Sequence, residues 1–246
     1  MKNQVAAFFK LVCLAYLVFI IPRVISVSGD NSSRKHVNKK LDMWLGAEYL
    51  IRSPKDFHVL KEMKIGMVCG KDSVDQCGRS NLSQLIDNGF IVNKVLIRDD
   101  GKDKKTLVRK LGKKFTNVKH YVFNRESVRH LWEDDVDAVM VDIQDSGIGT
   151  DKTKKVLIDL MIGAWRSHKK IVVLDRPNPL GEKMEGPGKD LPWRHGLTIG
   201  EMAYYLNKHV LDQPVDLSVV PMIGWRRSRG AKTLASFHDR AFIDVM

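Results

Sequence analysis

Residues 136–147 read VDAVMVDIQDSG. Apart from Asp137 the run is apolar as far as Val141, and it then breaks into Asp142, Gln144, Asp145 and Gly147. A strand with one wet face alternates polar and apolar residues, whereas a strand covered on both faces is apolar throughout and stops at turn formers. Residues 171–181, IVVLDRPNPLG, follow the same plan: four aliphatic residues, then Asp175, Arg176, Pro177, Asn178 and Pro179. Between them, Thr153–Ser167 carries apolar residues at helical spacing. Two doubly buried strands joined by a helix form a parallel crossover unit.

The alternation continues outward. Upstream, Ile65–Cys69 is a short apolar run followed by a loop with Gly70 and Gly78. Ser80–Asn88 reads as a helix closed by Gly89, Ile91–Ile97 as a strand, Lys104–Lys114 as a helix, Tyr121–Phe123 as a weak strand and Glu126–Glu133 as a short helix. Downstream, Thr198–His209 opens with a capping box, Thr198 at the N-cap and Glu201 three residues on, and Val215–Val220 is a last strand. Leu41–Met63 has helical spacing interrupted at Ser53-Pro54. The expected fold class is α/β, a doubly wound and mainly parallel sheet, with the domain at residues 41–225.

The 246 residues are 43% hydrophobic and 28% charged, a globular balance that excludes disorder, collagen and coiled coil for most of the chain. Leu11–Ile21 is an eleven-residue apolar run behind Lys2 and Lys10, with Ser26-Val27-Ser28 beyond it. That is too short for a span of roughly 20 helical residues and suits a signal peptide over residues 1–28. Residues 29–40 then form a disordered basic linker, and residues 226–246 a divergent tail. The mature protein is expected to be secreted or extracytoplasmic, with no stable membrane anchor. Signal cleavage removes Cys13 and leaves Cys69 and Cys77, either a disulfide or two free thiols. Asn81-Leu82-Ser83 is a glycosylation sequon. The net charge of +12 is densest over Lys102–Lys114, which lacks the aromatic interleaving of nucleic-acid stacking surfaces, so no nucleic acid is expected as a partner.

Ligands of open parallel sheets bind beyond the carboxyl ends of the strands. That rule brings Asp99, Asp100 and Gly101, then Asp142, Gln144 and Asp145, then Asp175, Arg176 and Asn178, and finally Arg194 and His195 to one rim. Asp142 and Asp175 also read as turn caps. No GxGxxG follows the first strand, and P-loop, GxSxG and zinc spacings are all missing, so no cofactor and no metal centre are expected. Paired carboxylates beside amide and guanidinium groups suit glycoside hydrolysis.

VDAVMVDIQDSG, IVVLDRPNPLG, MEGP (Met184–Pro187), RHGLTIGEMA (Arg194–Ala203) and PMIGW (Pro221–Trp225), in this order, resemble the exo-β-N-acetylmuramidase family of peptidoglycan-recycling glycosidases. The resemblance implies a Rossmann-like N-terminal domain, a smaller C-terminal domain, a cleft between them, and release of terminal N-acetylmuramic acid from peptidoglycan fragments or related muramyl sugars. It places Asp142, Gln144, Asp145, Asp175, Arg176, Asn178, Arg194 and His195 on family motif positions. Asp99 and Asp145 are the catalytic candidates and the others substrate-binding ones. Several departures stand out. Arg98-Asp99-Asp100-Gly101 occupies the place of the family's Pro-Glu-His-Gly, whose Glu is the catalytic acid, and Cys69-Gly70 replaces Thr-Asn. An aromatic stretch gives way to Ile148–Lys152, and the C-terminal domain is expected to be missing. These departures leave open a weak glycosidase, an inactive sugar-binding relative, and a truncated gene product.

Overall fold

The computed structural model describes residues 43–98, 118–124, 126–149, 151–188 and 191–226. The signal and linker assignments, Asp99, the Lys104–Lys114 helix and the tail beyond residue 226 lie outside the described residues. Among the described residues no helix is long and apolar enough to cross a membrane.

The strands are β1 (Lys64–Gly70), β2 (Ile91–Arg98), β3 (Lys119–Val122), β4 (Ala138–Asp142), β5 (Lys170–Leu174) and β6 (Leu217–Val220). They form one sheet in the order β3-β2-β1-β4-β5-β6, with every neighbouring pair parallel. The chain moves outward from β1 to β3, returns to β4 beside β1, and moves outward again to β6. This is the doubly wound, Rossmann-like arrangement, and its direction reverses between β1 and β4.

The central strands β4 and β5 bury both faces, as their continuous apolar runs require. Cys69, Val95, Ile97, Met140, Val172 and Leu174 point to one side, where α1 (Gly46–Arg52) and α3 (Asn81–Asp87) add Ala47, Leu50, Leu82 and Leu85 to a common core. The alternate residues Val139, Val141, Ile171 and Val173 are equally buried and face the other side. There α5 (Asp151–Ser167) and α6 (Ile199–His209) lie against β5. The short helices α2 (His58–Glu62) and α4 (Ser127–His130) complete the chain order. Ser53-Pro54 separates α1 from α2, as its helix-breaking character predicts.

Helix termini are set by side chains the sequence exposes. The Thr198 hydroxyl accepts from Glu201 N, and the Glu201 carboxylate accepts from Thr198 N at 2.9 Å, which is the predicted capping box. β4 begins at Ala138 rather than at Val136, because Val136 N donates back to Glu133 O in a turn.

Of the two alternatives left open for Cys69 and Cys77, the structure shows two free thiols, and the disulfide candidate is not formed. The Cys69 side chain enters the core beneath α1 and α3, whereas Cys77 is exposed on the β1–α3 loop, so the two do not meet as a bridge requires. Asn81 is fully buried at the start of α3, so its sequon offers no glycosylation site.

Candidate functional site

The carboxyl edge where the strand order reverses, the place where open parallel sheets bind ligands, is formed by the β1–α3 loop, the end of β2, the β4–α5 loop and the β5–α6 segment. Asp142 ends β4 beside Cys69 of β1 and has no exposed surface. Its Oδ1 accepts from Arg176 Nε at 2.6 Å, its Oδ2 from Asn81 Nδ2 at 2.9 Å, and its carbonyl from Ser73 Oγ at 2.5 Å. Arg176 reaches further, donating Nη2 to Val74 O at 2.8 Å. One carboxylate thus ties together the loops after β1, β4 and β5. Burial, with the Asp142 charge beside it, pushes the Cys69 thiol up to about 12, so it stays protonated and inert.

Asp145 is the second buried carboxylate. Its Oδ2 accepts from Gly147 N at 2.7 Å and contacts His195 Nε2 at 2.9 Å. His195 is wholly enclosed, and its Nδ1 accepts the backbone N–H of Leu197 at 3.1 Å. A nitrogen that accepts a backbone N–H carries a lone pair, so the ring proton sits on Nε2 and is donated to Asp145. His195 is therefore held with both nitrogens engaged, as a group that positions Asp145 and the segment at Leu197. Burial pushes the Asp145 carboxyl up, but the hydrogen bonds from His195, Gly147 and Thr153 outweigh it and hold the group below the ordinary aspartate range. Gly147 is required here: its φ is 80°, and a Cβ would lie 2.4 Å from Asn178 Oδ1.

Asp175 follows β5 and faces the start of α6. Its Oδ1 accepts from Gly200 N at 2.8 Å and from Arg176 N at 2.9 Å. Burial, reinforced by the Glu201 charge, raises its pKa to about 7 against those hydrogen bonds. Asn178 closes the same segment: its Nδ2 donates to Leu197 O at 3.0 Å and its Oδ1 accepts from Leu180 N at 2.9 Å. Gln144 Nε2 donates to the carbonyls of Asp145 and Pro177, each at 3.0 Å. Arg194 contacts Glu185 Oε2 at 3.3 Å and donates Nη2 to Leu180 O, and its backbone pairs antiparallel with Glu185 beside the exposed Trp193.

The described part of the predicted rim lies together, whereas Asp99, Asp100 and Gly101 are outside the described residues. Asp142, Gln144, Asp145, Asp175, Arg176, Asn178, Arg194 and His195 all lie on the carboxyl edge and are knitted together. Most of their polar atoms are spent on one another or on backbone, so they build that edge. Sequence reading missed Ser73 and Asn81, which bind Asp142. It also missed Asp75, which shapes the β1–α3 loop by accepting from Cys77 N, Arg79 N and Arg79 Nε. It missed Glu48 of α1, buried and bonded to Gln76 Nε2 at 2.9 Å, as well. The aspartate-led turn at Asp75 was the one local signal available.

Residues 65–238 match the family described as exo-β-N-acetylmuramidase NamZ, N-terminal. The chain belongs to this family. It is 28% identical over 224 residues to the peptidoglycan β-N-acetylmuramidase NamZ of Bacillus subtilis strain 168, covering 83% of this chain and 53% of that protein. Two crystal structures of DUF1343 family proteins from Bacteroides fragilis NCTC 9343 share the fold. The one at 1.65 Å superposes with a TM-score of 0.64 at 26% identity over 76% of this chain and 52% of the other. The one at 1.30 Å gives 0.61 at 25% identity over 76% and 53%. The chain spans about half the length of the relatives it matches. Its kinship is to glycosidases, and the shared region carries the edge described above.

Proposed function

We propose that this protein is an exported glycosidase that removes terminal N-acetylmuramic acid from peptidoglycan fragments. The observation that supports the reading best is the switch-point edge, built by the Asp142–Arg176–Asn81 and Asp145–His195 networks, in a member of the NamZ N-terminal family. Asp99, which follows Arg98 at the end of β2, is assigned as the general acid. Asp145 is assigned to holding His195, because its carboxylate is enclosed and engaged. Aspartate is one methylene shorter than glutamate, and a misplacement near 1 Å costs on the order of 100-fold, so turnover is expected to be slow. Export rests on the signal-like character of residues 1–28.

The test is hydrolysis of a chromogenic N-acetylmuramic acid β-glycoside by the full chain, Asp99→Ala and Asp99→Glu. Asp99→Ala is expected to abolish turnover and Asp99→Glu to raise it. Equal rates for the wild type and Asp99→Ala sink the assignment of Asp99. A second reading, an inactive sugar-binding relative, is favoured by one observation: the rim acids Asp142, Asp145 and Asp175 are all buried and hydrogen-bonded. It predicts retention on insoluble peptidoglycan with no hydrolysis.

A further inference from the structure

Arg79, Arg98, Arg176 and Arg194 stand along the carboxyl edge. Arg176 is buried, with Nε on Asp142 and Nη2 on Val74 O. Arg79 is held by Asp75 at 2.7 Å, and Arg194 contacts Glu185 and Leu180 O. Arg98 differs from all three. It is only partly buried, its Nη1 donates to the Gln144 carbonyl at 3.3 Å, and among the described residues no carboxylate pairs with it.

The path of this side chain matters. Arg98 ends β2 in register with Gly70 of β1, and β1 in turn pairs with β4, where Cys69 is opposite Asp142. To reach Gln144, two residues beyond Asp142, the Arg98 side chain crosses the end of β1. Gly70 has no side chain to obstruct it. The guanidinium therefore reaches over the end of β1 at the carboxyl edge of the switch point. Its bond there is long and goes to a neutral carbonyl, so an incoming anion offering shorter, charge-assisted bonds displaces it readily.

We infer that Arg98 is the specificity residue of this edge and reads the carboxylate of the lactyl ether that distinguishes N-acetylmuramic acid from N-acetylglucosamine. This rests on the muramyl reading above and adds the group that selects the sugar. A planar guanidinium matches a carboxylate with two parallel N–H···O bonds, which a lysine ammonium does not reproduce. The same carboxylate is lost when the lactyl group is joined to a peptide through an amide, so Arg98 selects muramic acid with a free acid over muramyl peptides.

The experiment is calorimetric titration of the full chain, Arg98→Gln and Arg98→Lys with three methyl β-glycosides: N-acetylmuramic acid, its lactyl amide and N-acetylglucosamine. The wild type is expected to bind the free acid about 10- to 100-fold more tightly than either neutral sugar, the range of a charge-assisted pair. Arg98→Gln should erase that preference, and Arg98→Lys should keep part of it. A wild type that binds the acid and its amide equally overturns the inference without any variant, and so does an Arg98→Gln that retains the full preference; in both cases sugar binding itself survives. A wild type that binds none of the three glycosides overturns the muramyl reading and this inference together.

Discussion

Asp175 makes the stability of this domain depend on pH in a direction opposite to that of most carboxylates. Its carboxyl is buried at the start of α6, and its pKa stands at about 7 against an ordinary aspartate value of 3.8. A folded-state pKa above the unfolded one means that the native state binds the proton more tightly. The contribution to stability is then complete below about pH 4, falls as pH rises, and is exhausted above about pH 7. One pKa unit corresponds to about 1.4 kcal/mol. Between pH 5 and pH 8 this group alone withdraws about 3 kcal/mol from the folded state. Asp175→Asn removes the titration and keeps an oxygen for the N–H groups of Gly200 and Arg176. Urea unfolding at pH 5, 6, 7 and 8 is expected to show the variant already ahead of the wild type by about 1.5–2 kcal/mol at pH 5, because the loss begins at the unfolded-state pKa. The gap should widen by about a further 3 kcal/mol by pH 8. Taking the difference between the two proteins cancels the other titrating groups, including Asp145, whose depressed pKa acts in the opposite sense at low pH. Parallel stability curves for the two proteins across that range refute the argument.

Three further outcomes follow from the same coordinates. Arg176→Met leaves the Asp142 carboxylate buried without its cation and should cost about 3–5 kcal/mol in chemical denaturation; a loss under about 1 kcal/mol means the pair does not hold the loops. His168 occupies the left-handed region at the end of α5, φ 53°, so His168→Gly should raise stability by about 0.5–1 kcal/mol, read as an upward shift of the melting temperature. Of Cys69 and Cys77, only Cys77 should react with a maleimide in the native protein, with Cys69 labelled only in denaturant, and protection of both without denaturant contradicts the free-thiol arrangement.

The fold was legible because its information is local. Val136–Ile143 and Ile171–Leu174 are apolar on both faces, and only a covered parallel strand asks for that. Thr198 and Glu201 announce the start of α6, and both of their bonds form. The boundaries were less legible. Nothing in the sequence marks Val136 as part of a turn from Glu133, because that bond competes with extension of β4 only once the sheet exists. The disulfide question turned on direction: the side chain of Cys69 points beneath α1 and α3, and strand register, not spacing, sets that.

The location of the site was legible from topology, but the task of each residue was not. A carboxylate that follows a buried strand caps its surroundings in one protein and faces a ligand in another, and the same dipeptides serve both. What separates the two is partners far away in the chain. Asn81 meets Asp142 across 61 residues and Gln76 meets Glu48 across 28, and no local pattern carries either contact. Those partners change the reading of the rim. Asp142, bound by Arg176, Asn81 and Ser73, holds three loops at fixed separation, while Asp145 and His195 lock a fourth segment against them. An edge whose networks consume their own charges leaves recognition and chemistry to groups outside them. At the end of β2, Arg98 reaches across the end of β1 with a long bond to a neutral carbonyl and no carboxylate partner among the described residues, and an anionic sugar would seek that charge.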